Sequence, residues 1–442
     1  METKTKDSWL VMSITIVVPA ITARLSYTFE WVFVQQLGVS YTLITENPEA
    51  PSNGLVIYYN NTRADFSIPN LGLLHQQGIA PQMIEAHLWD KLPTLFAAPQ
   101  SACTLPFDFF SAVFYLLSRY EEYLPFQPDK HQRYPATESI LFQHNLLHRP
   151  IVDEWLCAFE KLLNNKGITT KQRGFNFLPT YDIDIAWSYA NKGVKRNLGG
   201  AIRDVLQGDI HALVDRIAVL TGHQKDPFDS YDFIEACHSG DAQRPIFFWL
   251  TALKSTAFDK NILPSEISMK ELVQRFSANN ITGIHPSYFT KEQTELLAQE
   301  KLSLESICSQ VVRDSRQHYI RLIFPDTYYQ LIGQGISNDY SMGYSTHLGF
   351  RAGTSRSFFW YDLQKEQSSL LRITPFCFMD ATAHYELKLS ASEAFGQLAL
   401  LTESIQKVKG QLTTIFHNFS LGTDKEWLGW ADAYQQFIQK LK

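Results

Sequence analysis

Hydrophobic and polar positions follow two different rhythms along the chain. Over the first sixty residues, short apolar runs of strand length ("SITIVVP", "YTLIT", "GLVIYYN") flank "RLSYTFEWVFVQQLG", whose helical spacing stops at Gly38. This predicts a small unit of strands and a helix. Residues 61–100 are loop-rich and aromatic. Phe110, Val113, Phe114, Leu117 and Tyr120 then fall on a helical period, predicting a helix from Phe107 to Tyr123 between Pro106 and Pro125. A polar, turn-rich stretch with four prolines leads into a second helix, "IVDEWLCAFEKLLNNKG", closed by Gly167. The polar connection "KGITTKQRG" marks a boundary, which divides the chain into a domain over 1–170 and another over 175–442.

From "FNFLPTYDID" onward the rhythm changes. Apolar strands ("FNFLPTYD", "PIFFWL", "ITGIHP", "YIRLIF", "QLTTIFHN") alternate with helical patterns near 211–222, 267–279, 292–301, 325–333 and 391–408. Ser390 and Glu393 form a capping box before the last helix, and Gly410 stops it. Strand and helix in repeated alternation predict an α/β fold with a parallel sheet or barrel.

Composition narrows the class. The 442 residues are 45% hydrophobic and 13% aromatic, enough for sizeable cores. A net charge of −6 gives no footprint for nucleic acid or for an acidic membrane surface. Five cysteines, odd in number and with no CxxC spacing, read as buried thiols in a reducing compartment. "WLVMSITIVVPAITARL" resembles a leader core but is interrupted by Ser13, Thr15 and Pro19, and no apolar run reaches membrane-spanning length. Cytoplasmic work is the expectation.

Chemistry in such folds gathers at the C-terminal ends of strands. The first strand of the second half ends in Asp182 and Asp184, which share a face in extended backbone. Two carboxylates so placed repel unless a cation or a proton lies between them. "ITGI" ends in His285, "SRQHYIRL" carries Arg316 and His318, and "TTIF" ends in His417. Oxygen and imidazole ligands together suit zinc or another first-row divalent ion. Singly, each has a plainer reading: a lone Asp-x-Asp serves equally as an exposed strand end or a helix N-cap. Most other histidines, including His75, His131 and His148, read as ordinary loop residues.

With those motifs in order, residues 175–442 resemble the NodB-homology polysaccharide deacetylases, carbohydrate esterase family four, in a divergent bacterial form with an extra N-terminal domain. "TYDID" resembles the first motif, implying Asp182 as catalytic base and Asp184 as metal ligand, with Ile183 separating aspartates that are usually adjacent. "HPSYF" resembles the second motif and offers His285; the usual second histidine is replaced by Phe289, and His318 is the substitute ligand. "RQHY" and "GFRAGT" both resemble the third motif, so Arg316 and Arg351 are candidates to orient the base. "IFHN" resembles the last motif, implying His417 as general acid.

The resemblance implies a distorted (β/α) barrel of about seven strands, preceded by a smaller α/β N-terminal domain. It implies a divalent metal, zinc first, and hydrolysis of N-acetyl groups on an amino-sugar glycan or precursor. Trp187, Tyr288, Asp339 and Tyr344, together with Trp360, are candidates to line the sugar site. A catalytically silent carbohydrate-binding protein, favoured by Phe289, and a hydrolase of another non-peptide C–N bond are the alternatives.

Overall fold

The computed structural model describes residues 13–46, 54–60, 64–240 and 243–442. The apolar "WLVM" at positions 9–12 lies outside them. Strands β1 (Ile14–Val17), β2 (Tyr41–Ile44) and β3 (Leu55–Tyr58) form a parallel sheet in the order β2-β1-β3. A hairpin follows, β4 (Ala86–Trp89) and β5 (Leu92–Leu95). It lies within the stretch whose sequence carries no strand pattern.

Nine further strands make the main sheet: β6 (Asn176–Ile183), β7 (Ile246–Trp249), β8 (Ile281–Ile284), β9 (Asp314–Ser315), β10 (Asn338–Asp339), β11 (Phe358–Asp362), β12 (Gln367–Ile373), β13 (Phe378–Met379) and β14 (Gln411–His417). Their order is β11-β12-β10-β9-β8-β7-β6-β14-β13, parallel except where β11 meets β12. No ladder joins β13 to β11 among the described residues. β6 is buried from Leu178 to Ile183, as a central parallel strand covered on both faces must be.

The helices are α1 (Ala23–Phe29), α2 (Phe109–Leu117), α3 (Ile140–Gln143), α4 (Ile151–Asn165), α5 (Gly193–Leu206), α6 (Ile210–Leu220), α7 (Tyr231–Cys237), α8 (Ile267–Ser277), α9 (Thr294–Cys308), α10 (Asp326–Gly333), α11 (Ala391–Lys407) and α12 (Trp430–Leu441). None is long and apolar enough among the described residues to cross a membrane. α1 continues as a π-helix over Glu30–Leu37 to a left-handed Gly38, and α11 carries the expected capping box. Two expectations change. The helix predicted to reach Tyr123 stops at Leu117, because Arg119 turns left-handed (φ 54°) and pairs with Glu121 and Glu122. "YIRLIF" is not a strand: left-handed backbone at Tyr319 (φ 58°) and Ile320 (φ 52°) ends any extended run, and the strand is β9, a few residues earlier.

Side chains from both sides of the expected 170–175 boundary join one hydrophobic cluster. Tyr27 and Trp31 donate hydrogen bonds to the carbonyls of Phe359 and Ser357, and Arg24 pairs with Glu366. The N-terminal helix thus covers the outer β11–β12 pair. All five cysteines are free; Cys237, Cys308 and Cys377 are buried, and burial pushes the Cys377 thiol up to about 12.

Candidate metal centre

Neighbouring strands of the main sheet end beside one another, so the residues that follow them meet. The β14–β6 register pairs His417 with Asp182. Asp184 lies one residue beyond β6, His285 follows β8, Arg316 follows β9 and Asp380 follows β13. The loop after β7 brings in Asp259.

Asp184, His285 and His318 offer three ligand atoms that all lie within 4.8 Å of one another. His285 Nε2 is 3.1 Å from Asp184 Oδ1, and His318 Nε2 is 3.5 Å from Asp184 Oδ2. His417 Nε2 also stands 3.5 Å from Asp184 Oδ2. Each imidazole is fixed from behind through Nδ1: His285 donates to the Arg316 carbonyl (2.6 Å), His318 to Asp259 (3.0 Å) and His417 to Asp380 (2.6 Å). A proton committed to Nδ1 leaves Nε2 facing the centre, the tautomer a metal-binding histidine needs.

Asp182 has a different setting. Arg316 Nη1 donates to its Oδ1 at 2.7 Å and to Thr180 Oγ1 at 2.7 Å, while Arg316 Nε donates to the Tyr340 carbonyl. Both side chains are almost fully buried. His285 Nε2 is 3.9 Å from Asp182 Oδ2, so this second oxygen faces the centre.

The electrostatics favour a cation. Four carboxylates (Asp182, Asp184, Asp259, Asp380) surround the centre with one guanidinium, Arg316, among them. Asp184 Oδ1 is buried and accepts no hydrogen bond, an arrangement that native structures rarely leave unfilled. Without an ion, His318 and His417 supply positive charge. Burial opposes protonation of His318, but Asp184 and Asp259 raise it to about 9; burial likewise opposes charge on His417, and Asp380 and Asp184 hold it well above the usual histidine range. Burial disfavours the Asp184 carboxylate, yet His318 and His285 bring it well below the usual carboxyl range. The donor set of two imidazoles and a carboxylate, with an orphaned oxygen among them, fits a divalent ion.

A cavity of about 640 Å³ opens over these residues and is lined in part by Phe258, Lys260, Tyr319, Met379 and Phe419. One wall comes from the N-terminal half: Asp129, Lys130, His131 and Arg133. His131, which reads as an ordinary loop histidine, bonds through Nδ1 to the Tyr288 hydroxyl at 2.9 Å. Tyr288 stacks on Phe258 with centroids 3.8 Å apart.

The structure brings Asp182, Asp184, His285, Arg316, His318 and His417 together, with Tyr288 behind the wall. It sets the other expected residues elsewhere. Arg351 is buried against Glu122, whose oxygens take its Nε and Nη2, because no carboxylate of the centre lies within its reach. Tyr344 packs under Arg351 and beside Arg119. Asp339 is fully buried at the end of β10 and accepts from Ser341 and Tyr328; burial pushes it up to about 6. Trp187 packs on Tyr231 in the core, and the indole of Trp360 donates to Tyr123. Phe289 packs on Phe258 and Tyr288, away from the three ligand atoms.

Sequence reasoning missed Asp259 and Asp380. Asp380 ends "PFCFMD", the same strand-end signal that marked Asp182, but in a strand of two residues. Asp259 sits in an irregular loop that no periodicity announces.

A family model described as a family of unknown function, DUF7033, matches residues 14–168. No curated protein matches the chain. Solved structures similar to it include one from Mycobacterium smegmatis described as a polysaccharide deacetylase, at 11% identity over 61% of this chain and 85% of that one, with a TM-score of 0.40. A polysaccharide deacetylase from Bacillus cereus is 10% identical over 61% and 89% of the two chains, TM-score 0.27. An allantoinase is 9% identical over 61% and 84%, TM-score 0.37.

Proposed function

We propose that this chain is a metal-dependent hydrolase that removes acetyl groups from N-acetylated amino sugars in a glycan or glycan precursor. One observation carries the reading: the ligand atoms of Asp184, His285 and His318 converge beneath an open cavity, with the Asp182–Arg316 pair and the His417–Asp380 pair beside them. Residues 175–442 are read as a distorted deacetylase barrel, with residues 1–170 as a domain that builds one cavity wall.

Asp184, His285 and His318 would hold the ion, and their nitrogen and oxygen donors suit zinc. When bound, such an ion acts as a Lewis acid toward the acetyl oxygen and lowers the pKa of water. The remaining work belongs to the chain. Asp182 accepts a proton from the attacking water, and Arg316 Nη1 orients that carboxylate through its Oδ1. His417, held at Nδ1 by Asp380, donates its Nε2 proton to the amine nitrogen as the C–N bond breaks. Phe258 and Tyr319 on the cavity wall offer faces on which a sugar ring can stack.

The test is acetate release from chitooligosaccharides by the zinc-loaded protein. Asp182→Asn is expected to retain its metal and to lose roughly 10²–10⁴-fold in rate. Metal loss in that variant would make Asp182 a ligand instead of a base. A fully loaded wild-type protein that releases no acetate from any N-acetylated sugar overturns the reading.

A further inference from the structure

Two of the three ligand residues take their places directly from the sheet. Asp184 lies one residue beyond β6 and His285 one residue beyond β8, and both strands are paired on two sides. His318 has no such support. It lies three residues past β9, a strand of two residues, and the backbone then turns left-handed at two consecutive positions, Tyr319 (φ 58°) and Ile320 (φ 52°). Side chains with a Cβ are strained in that conformation, bulky and β-branched ones most of all. Such strain persists only where the surroundings over-determine it.

The surroundings do so from three sides. Asp259 accepts from His318 Nδ1. Ile320 is buried in a small apolar cluster with Phe376, Met379 and Ile415. Tyr319, between them, is held from the other half of the chain: Arg133 Nη1 donates to its carbonyl, 186 positions away. That guanidinium is itself aimed. Asp129 Oδ2 takes Nε at 2.8 Å and Nη2 at 2.7 Å, which leaves Nη1 for the Tyr319 carbonyl. Asp129 Oδ1 accepts from the amides of His131 (2.8 Å) and Arg133 (2.9 Å), closing residues 129–133 into a turn. Arg321 reaches back the other way, with Nε donating to the His131 carbonyl at 3.1 Å and Nη1 to the Tyr288 carbonyl. The His131 and Tyr319 rings meet with centroids 5.1 Å apart. Two buried arginines thus cross in opposite directions beside the segment that carries His318.

We propose that Arg133 is a positioning residue for the metal centre: from the N-terminal half, it holds the left-handed backbone that aims His318 at Asp184. The 129–133 turn is then part of the framework of the centre as well as a wall of its cavity. This rests on the reading of His318 as a metal ligand.

The experiment uses the full chain and two readouts. In metal-free protein, hydrogen exchange follows the amides of Ile320, Arg321 and Leu322, which donate to the carbonyls of Gln317, His318 and Ile320. Arg133→Met should speed their exchange at least about tenfold. Its zinc affinity, read by competition with a chromophoric chelator, should fall about tenfold. Arg133→Lys keeps a charge beside Asp129 without the fork that also reaches Tyr319, so it should lose affinity while the melting temperature holds. Tyr319→Gly relieves the strain at that position, and in its background Arg133→Met should lower affinity by less than about threefold. Tyr27→Phe removes a tie between the two halves at β11 and should change neither readout. Unchanged zinc affinity in Arg133→Met overturns the inference, whether or not exchange speeds up. So does a loss as large in the Tyr319→Gly background, since Arg133 then acts only by stabilising its own turn. Wild-type protein that binds no zinc overturns the inference together with the metal reading. A protein that shows the expected affinities and releases no acetate overturns the proposed reaction alone and supports the role of Arg133.

Discussion

Arg316 and Arg351 are both buried, and each grips a carboxylate, yet the clusters around them are built on opposite terms. Around Arg351 the charges match: Arg119 and Arg351 face Glu121 and Glu122, with Tyr344 packed alongside. Burial disfavours the Glu122 carboxylate, but Arg351 and Arg119 together hold it below the usual range. Around Arg316 one guanidinium stands among four carboxylates, three histidines turn a nitrogen toward the same space, and Asp184 Oδ1 accepts nothing. The first cluster balances its charges and leaves one donor, Arg119 Nη1, without a partner. The second turns an unfilled carboxylate oxygen and three imidazole nitrogens toward one point, and it opens on a cavity. Surplus capacity at a shared point, more than burial or residue type, distinguishes a place for chemistry from a structural tie.

Removing the structural arginine should have the largest effect. Arg351→Met leaves Glu122 with only Arg119, and stranding a buried charge costs about 3–5 kcal/mol. The melting temperature should fall steeply, while acetate release per folded molecule and metal content stay at wild-type values. Removing both partners, Arg351→Met with Glu122→Leu, should recover part of the loss, because a missing pair costs less than half of one. Loss of rate in Arg351→Met at unchanged melting temperature would bring this arginine into the site.

How far the sequence could separate the two arginines is set by what each motif encodes. Both lie in segments with the same local look, an arginine before a turn. What separates them is the partner, and Glu122 is 229 positions away from Arg351, beyond any local pattern. The strand-end residues were legible for the opposite reason. Parallel pairing brings the ends of β6, β8 and β14 together, so Asp182, Asp184, His285 and His417 could be grouped from strand ends alone. Strands of two residues, β9, β10 and β13, carry no periodic signal, which hid Asp380 and misplaced the strand near His318.

Two buried glutamates differ in the same way, with a smaller effect. Glu122 has two arginines; Glu300, fully buried on α9, has no cation bonded to it and accepts from the Ser287 amide at 2.9 Å. Burial pushes Glu300 up to about 7. The folded state therefore holds this proton more tightly than the unfolded chain, where the ordinary value is 4.5. That stability is fully present below about pH 4.5 and is lost as pH rises to about 7, a swing on the order of 3 kcal/mol. Glu300→Gln keeps the acceptor for Ser287 and removes the titration. Denaturant melts of metal-free protein should show the variant gaining on wild type between pH 5 and pH 8. A difference that stays flat with pH means that Glu300 titrates as it does in the unfolded chain.

The smallest effect tests whether the carboxylates behind the histidines belong to the centre. Asp259 Oδ1 accepts from His318 Nδ1 and from the Tyr288 amide, and Oδ2 accepts from Thr256. Three bonds on one side chain fix the His318 ring, so Nε2 meets Asp184. Asp259→Asn preserves the shape but removes the charge that favours a proton on Nδ1. Metal affinity should fall by about 10–100-fold, the usual cost of losing such a supporting group. At saturating metal the rate should return close to wild type, since Asp259 neither donates nor accepts the reacting proton. Asp339→Asn is the matched control: it is as deeply buried, but its partners are Ser341 and Tyr328, and none of the three ligand residues touches it. Competition titration against a chromophoric zinc chelator should separate the two variants. If both bind zinc as wild type does, the His318 ring is held by packing alone, and the centre needs no carboxylate behind it.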